Sequence, residues 1–349
     1  MRMGWGAVGL AAMVCAMVPQ AEATHIGVER AVLAVGNSLS MSLFNKVSRI
    51  ARASDAGDTL LYGEVLNKGF TLAMHAQRSE VARAVAAGYG DAPGRKWDAM
   101  VLQEQSHGLA HTLPDINAYT LPAAEALCGL LWEHNPDGEC LIMETWAYVC
   151  GSECLRTDLA SYRDMQDKLV GGAEHLASRL AASRPDPARN VVKVIRAGEV
   201  WREAFLMAER QDAPVGPLLG TCTTPCCIPL APCALPRLVD VRGDALRPKD
   251  LWRSDGSHAS YGLGSCLNAY AAYATLFERE LDAHVRGCAK WVSRRDDRAV
   301  RKLAKRLRLH DTPPAAPYAD QAHSPVANSL ASRHVDSPES TRPPRRRKN

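Results

Sequence analysis

Residues 31–40 read AVLAVGNSLS. Small and β-branched apolar residues run to Gly36, which suits a short buried strand, and helical patterning follows through about Ala53. The same unit recurs along the chain. LLYGEVLN (60–67) leads to Gly69 and a helix carrying LAMHAQRSEVARAVAAG. DAMVLQ (98–103) precedes a helix over 118–133, and CLIMETWAY (140–148) precedes one from about Leu159 to Ala182. VVKVIRAG (191–198) is a fifth strand, and YGLGSCLNAYAAYATLFERELDAHV (261–285) is a closing helix. Strands alternating with helices of this length predict a parallel five-stranded sheet covered on both faces, a three-layer α/β/α sandwich.

The rest of the 349 residues divides around that sandwich. Residues 1–23 read as a secretory signal peptide: Arg2, the apolar run GWGAVGLAAMVCAMV, then Ala21-Glu22-Ala23. That run is shorter than the roughly 20 residues a bilayer span requires, so no stable membrane insertion is expected. The α/β domain then occupies 24–293, interrupted by a Cys/Pro-rich insertion at 211–237. Residues 294–312 read as a basic helix or linker, and 313–349 as a disordered basic tail rich in Pro, Ser and Ala.

Eleven cysteines are present, and Cys15 leaves with the signal peptide. The remaining even number, in an exported chain, points to disulfides and to an extracellular or otherwise oxidising compartment. The spacing of Cys222, Cys226, Cys227 and Cys233 matches no paired zinc framework. Charge is unevenly spread. From Arg294 onward there are 14 Lys/Arg and 6 Asp/Glu, leaving 28 basic and 32 acidic residues before it. An acidic body with only 6% aromatic residues argues against a nucleic-acid-binding core. The stretch 294–309 reads first as a solvated helix ending the domain. Contact with anionic glycan or lipid head groups is the functional alternative, and the tail offers at most weak contact with an anionic surface.

Two short patterns carry the chemistry. Ser38 lies just past the C-terminal end of the first strand, the edge at which open α/β sheets bind ligands. Its hydroxyl is expected near a helix start, where free N–H groups favour developing negative charge, although a serine there is often merely a cap. SDGSHASYGLG (254–264) places Asp255 three residues before His258, ahead of the last helix. Such a pair can fix the imidazole tautomer, and neutral His258 could then accept the Ser38 proton.

With these residues in hand, the chain resembles the SGNH (GDSL-like) hydrolases, in particular the divergent branch with a G-N-S first block. GNSLS resembles the first block, with Ser38 as nucleophile. NKGFTLAMHA resembles the second, with Gly69 offering a backbone N–H. WDAMVLQEQS resembles the strand leading into the third, and DGSHASYGLGSCLNAY the fifth, supplying Asp255 and His258. VVKVIRAGEVWREA also resembles this branch. The resemblance implies acyl transfer to water: Ser38 attacks an ester carbonyl, His258 is general base and Asp255 orients it. The N–H groups of Ser38 and Gly69 would hold the oxyanion, aided by a glutamine side chain. The family's G-x-N-D is absent, and aligned strand ends put Gln105 at the asparagine, with Gln103 almost as close.

This chemistry needs no metal or organic cofactor. The expected substrate is a small-molecule or glycan ester, with acetyl groups on carbohydrate the favoured class. Two rivals stand: a non-catalytic glycan-binding or structural protein on a decayed fold, and an O-acyltransferase. Other tempting residues are discounted. His107 and His111 lie in a loop, and Glu104 with Glu144 could form a glycosidase-like pair only at a suitable separation. Trp146 and Tyr148 suit packing as well as a sugar pocket, and His75 reads as structural.

Overall fold

The computed structural model describes residues 27–90, 94–148, 159, 162–186, 188–189, 191–210, 238–239, 245–246, 251, 257–280, 287–288 and 290–306. The segment 1–23 expected as a signal peptide, the segment 211–237 expected as an insertion with its four cysteines, Asp255 and the 313–349 tail lie outside them.

β1 (Glu29–Gly36) sits inside the sheet, and its Ala31–Val35 segment is almost wholly buried. That is why it reads as a continuous apolar run rather than an alternating one. It pairs in parallel with β2 (Thr59–Leu66) on one side and β3 (Ala99–Leu102) on the other. β4 (Glu139–Met143) and β5 (Val192–Ile195) complete an all-parallel five-stranded sheet of order β2-β1-β3-β4-β5. The outer strands β2 and β5 are only half-buried, which accounts for their mixed composition. The α/β sandwich expected from the sequence is therefore the architecture found.

The helices depart from the sequence reading in places. α1 (Leu43–Ala53) follows β1 as expected. The helix expected after β2 is two: α2 (Leu72–Ala76) and α3 (Ser79–Ala87). They break where Arg78 turns extended (φ −112°) and lays its guanidinium 4.7 Å from the Phe70 ring centre. After β3 come a short turn α4 (Leu113–Asp115), a wide turn over Ile116–Thr120 and α5 (Leu121–His134). α6 (Tyr162–Ser183) follows β4, and α7 (Ala197–Arg210) follows β5. The sequence reading did not separate α7 from the fifth strand. β6 (Leu238–Val239) and β7 (Ala245–Leu246) form a small antiparallel pair of their own. α8 (Leu263–Phe277) and the basic α9 (Arg294–Arg306) close the described chain.

Among the described residues two disulfides form, Cys128–Cys140 between α5 and β4 and Cys266–Cys288 between α8 and the chain ahead of α9. They fit an oxidising compartment. No described helix is long and apolar enough to cross a membrane.

Register is what positions the site. Gly36 stands opposite Leu66, and Val35 opposite Leu102, so β1, β2 and β3 end nearly level. The three loops that follow, carrying Ser38, Gly69 and Gln103–Gln105, therefore emerge side by side. This is the C-terminal edge at the point where the strand order reverses, the ligand-binding edge of doubly wound sheets.

Candidate active site

Ser38 is not at a helix start. Asn37–Ser40 forms a turn closed by Ser40 N–H to Asn37 C=O at 3.1 Å, and Leu43 N–H then bonds Ser40 C=O at 3.0 Å. α1 begins five residues beyond Ser38, preceded by Ser42 in the left-handed region (φ 63°), whose side chain makes no cap bond. This corrects the expectation that the α1 dipole would act on Ser38, because macrodipole effects fade within a turn of the helix end.

The Ser38 Oγ lies 2.9 Å from His258 Nε2, across 220 residues of sequence. Ser38 is half-buried, so the pair sits at the surface of the sheet edge. On the far side of the imidazole, Nδ1 lies 3.2 Å from the hydroxyl of Ser257. For Nε2 to accept the serine proton, Nδ1 must carry the ring hydrogen, and Ser257 Oγ is within reach to accept it. The sequence reading passed over Ser257, although its place beside His258 was visible. Asp255, the partner expected there, lies outside the described residues.

The histidine loop is held from below. Trp146 Nε1–H donates to the Ser257 carbonyl at 2.8 Å, and the indole stacks on Trp201 at 5.1 Å between ring centres. Trp146 is only 1% exposed, so it packs under the loop and lines no open sugar pocket. Beyond His258, Ser260 Oγ accepts from Gly264 N–H at 2.9 Å, in the first turn of α8. Gly264 must be glycine, since a Cβ there would stand 2.1 Å from the Leu251 carbonyl oxygen.

Gly69 lies in a turn closed by Phe70 N–H to Asn67 C=O at 3.1 Å, with φ +74°, a conformation glycine adopts without strain. Among the described residues no hydrogen bond engages the N–H of Ser38 or Gly69. Two backbone donors on neighbouring loops are thus unspent, as an anion-stabilising arrangement needs.

The two glutamines divide sharply. Gln103 is fully buried, and its Oε1 accepts from Asn37 N–H and from Ser40 Oγ–H, both at 3.0 Å. Its Nε2 donates to the Glu104 carbonyl, so the side chain is consumed in bracing the Ser38 turn. Gln105 is half-buried, accepts from His107 N–H at 3.3 Å and donates to Ser106 Oγ at 3.0 Å. Of the two, Gln105 is the one whose amide stands near solvent.

Glu104 and Glu144 face no common cleft. Glu104 is 3% exposed and accepts from the backbone N–H groups of Leu72, at 3.2 Å, and Gln105, at 2.6 Å. Burial pushes its carboxyl up to about 7, against the pull of those donors. It ties the loop after β2 to the loop after β3. Glu144 is fully buried, bonded to Glu199 N–H at 3.1 Å, and held well above the usual carboxylate range by burial and then by Glu199. A glycosidase-like role for the pair is overturned: neither carboxyl reaches an open surface. His75 bonds the Gly36 carbonyl at 2.8 Å, so its Nε2 carries a hydrogen, and burial lowers its pKa. His107 and His111 lie with ring centres 5.3 Å apart, and no three His, Cys, Asp or Glu side chains gather as a metal site among the described residues.

Comparison with known proteins bears on this arrangement only through the fold. No family model matches the chain, and no curated protein matches it. A solved structure of a DUF4886 family protein from Bacteroides uniformis ATCC 8492 superimposes with a TM-score of 0.56 at 16% identity, covering 82% of this chain and 98% of that one. The likeness is one of fold. A second structure, from Streptococcus pneumonia and provisionally described as a platelet activating factor, gives 0.37 at 14% identity over 73% of this chain and 87% of its own.

Proposed function

We propose that this chain is a serine ester hydrolase of the SGNH (GDSL-like) type, exported to an oxidising compartment, that removes O-acyl groups such as acetyl from carbohydrate. One observation carries the reading: the 2.9 Å approach of Ser38 Oγ to His258 Nε2 at the ligand-binding edge of the sheet. A serine hydroxyl is a weak nucleophile until a base takes its proton, and a neutral imidazole at hydrogen-bond distance is such a base.

In the mechanism, Ser38 Oγ bonds to the ester carbonyl carbon while its proton passes to His258 Nε2. The carbonyl oxygen becomes an oxyanion held by the N–H groups of Ser38 and Gly69, with Gln105 Nε2 as the side-chain donor. Collapse breaks the ester C–O bond, and His258 returns the proton to the leaving sugar oxygen. Water, deprotonated by the same imidazole, then releases the acid and regenerates Ser38. Ser257 accepts from Nδ1–H during the cycle, and Asp255 is the carboxylate that would orient the ring.

The test is hydrolysis of p-nitrophenyl acetate by disulfide-intact protein lacking residues 1–23, beside Ser38→Ala, with a fluorophosphonate adduct mapped by mass spectrometry. Turnover and adduct that both vanish in Ser38→Ala support the proposal. A well-folded chain with neither would favour a glycan-binding protein on the same fold, whereas acetyl transfer to an added sugar alcohol exceeding hydrolysis would favour an acyltransferase.

A further inference from the structure

Away from the sheet edge, the molecule carries a basic hollow that the proposed chemistry does not use. A cavity of about 470 Å³ lies between α1, the edge strand β2 and the segment ahead of α9. That volume falls within the range of small-molecule sites. Arg49, Arg52 and Lys290 line it with Asn45, Ser48 and Tyr62, and no acidic side chain is among its lining residues. None of the three cations forms an ion pair among the described residues.

The hollow is built rather than incidental. Ser48 is 2% exposed and its Oγ accepts from Arg52 Nη2 at 2.9 Å, fixing that guanidinium. Trp291 lies against both Arg49 and the buried Lys46, with the cations 5.2 Å and 4.7 Å from its ring centre. The far wall, made by Gly287 and Lys290, is pinned to α8 by Cys266–Cys288.

A second observation extends the same charge. Four residues after Lys290, α9 begins, and its exposed positions include Arg294, Arg298, Lys302 and Lys305, the last paired with Glu280 at 3.5 Å. Its opposite side is spent on the body: Val300 and Leu303 are buried, and the Asp297 carboxylate accepts from Tyr270 Oη–H at 2.6 Å. The basic stripe therefore faces outward. Arg294 and Arg298 form no ion pair with an acidic side chain among the described residues. Like charges at i,i+4 and a cation in the first turn of a helix each cost a few tenths of a kcal/mol when no anion is present.

We infer that the hollow and the α9 stripe together bind a polyanionic glycan, one bearing carboxylate or sulfate groups. Arginine forks match such oxyanions, and the Tyr62 ring offers an apolar face to a sugar. An extended chain suits the hollow, whose lining on α1 runs from Asn45 to Ala53, about 12 Å along the helix and away from Ser38. A chain held there could present an ester on another unit. A membrane surface is the weaker fit. Val300 and Leu303 on the apolar side of α9 are already buried, and none of the exposed large apolar residues Val28, Met41, Met74, Tyr119 and Tyr261 lines the hollow.

The ester at Ser38 rests on the proposed function, but the binding does not, so it is tested without turnover. The full-length chain, tail included, is titrated calorimetrically with an oligogalacturonate and with a neutral cello-oligosaccharide, at low and raised salt. Wild type should bind only the anionic chain, and Arg49→Gln/Arg52→Gln should lose about tenfold or more in affinity with a shallower salt dependence. The same variant should hydrolyse p-nitrophenyl acetate as wild type does, and the same loss of binding should appear when Arg49→Gln/Arg52→Gln is made in a Ser38→Ala background. Equal affinity in variant and wild type, or no binding by wild type, overturns the inference. So does binding that is as tight to duplex DNA or to phosphatidylserine vesicles.

Discussion

Asn37 ties three loops together from one side chain: its Nδ2 donates to the Phe70 carbonyl at 3.0 Å and to the Glu104 carbonyl at 3.4 Å. Its Oδ1 accepts from Leu39 N–H at 3.1 Å, inside the Ser38 turn. The residue is 2% exposed, so these bonds are made without competition from water. Asn37→Ala should unfold at a temperature several degrees lower, since buried groups left unpaired cost about 1–3 kcal/mol. It should also lose more kcat than KM, because the loops carrying Gly69 and Gln105 would move relative to Ser38. Kinetics beside a thermal melt would separate the two losses; an unchanged kcat would mean the loops are set by something else.

Gln103 and Gln105 should respond oppositely to removal. Gln103→Ala strips partners from Asn37 N–H and Ser40 Oγ in a fully buried place, so its effect should appear chiefly in denaturant midpoint. Gln105→Ala should leave the midpoint nearly unmoved and lower kcat by about 10²–10³, the range for loss of one oxyanion donor. The reverse pattern would shift the donor role to Gln103.

Ser257→Ala should lower kcat/KM only a few-fold if Asp255 also meets Nδ1, and Asp255→Asn should cost far more. Each is read in a steady-state pH profile with p-nitrophenyl acetate. Equal, large losses in both would make the serine hydroxyl an orienting group of the same rank as the carboxylate.

Glu104 gives the fold a pH dependence whose sign follows from its environment. Burial raises its pKa to about 7 in the folded chain, while the unfolded value is near 4.5. The proton it retains therefore stabilises the fold fully below about pH 4.5, and that contribution is lost as pH rises through 7. The whole effect is at most about 3 kcal/mol. Glu104→Gln should flatten the fall in unfolding free energy between pH 4.5 and 7. An unflattened slope in urea titrations would assign the dependence to another group.

Reduction of Cys266–Cys288 should cost about 3 kcal/mol, the usual worth of closing a loop of this length. Cys288→Ser should lower the melting temperature in non-reducing buffer and weaken oligogalacturonate binding, because Lys290 and Trp291 lose their tether.

The sandwich itself was legible in the sequence. Runs such as AVLAV (31–35) and CLIM (140–143) are short, apolar and bounded by turn formers, and only buried parallel strands tolerate that composition between helices of this length. Ser38, at the end of the first such run, was placed at the working edge by the same logic.

What the sequence by itself could not determine were the relations that depend on register and side-chain direction. Gln103 and Gln105 are two residues apart and chemically identical, yet one is locked under Asn37 and the other stands near solvent. Only the level at which β3 ends against β1 decides which. The approach of His258 to Ser38 across 220 residues depends on how α8 and Trp146 seat the intervening loop. The cations of α1 and Lys290 are likewise far apart in the chain and read singly as solvated charge. They share one hollow only because packing of the body and a disulfide set them there, and long-range packing leaves little trace in local residue patterns.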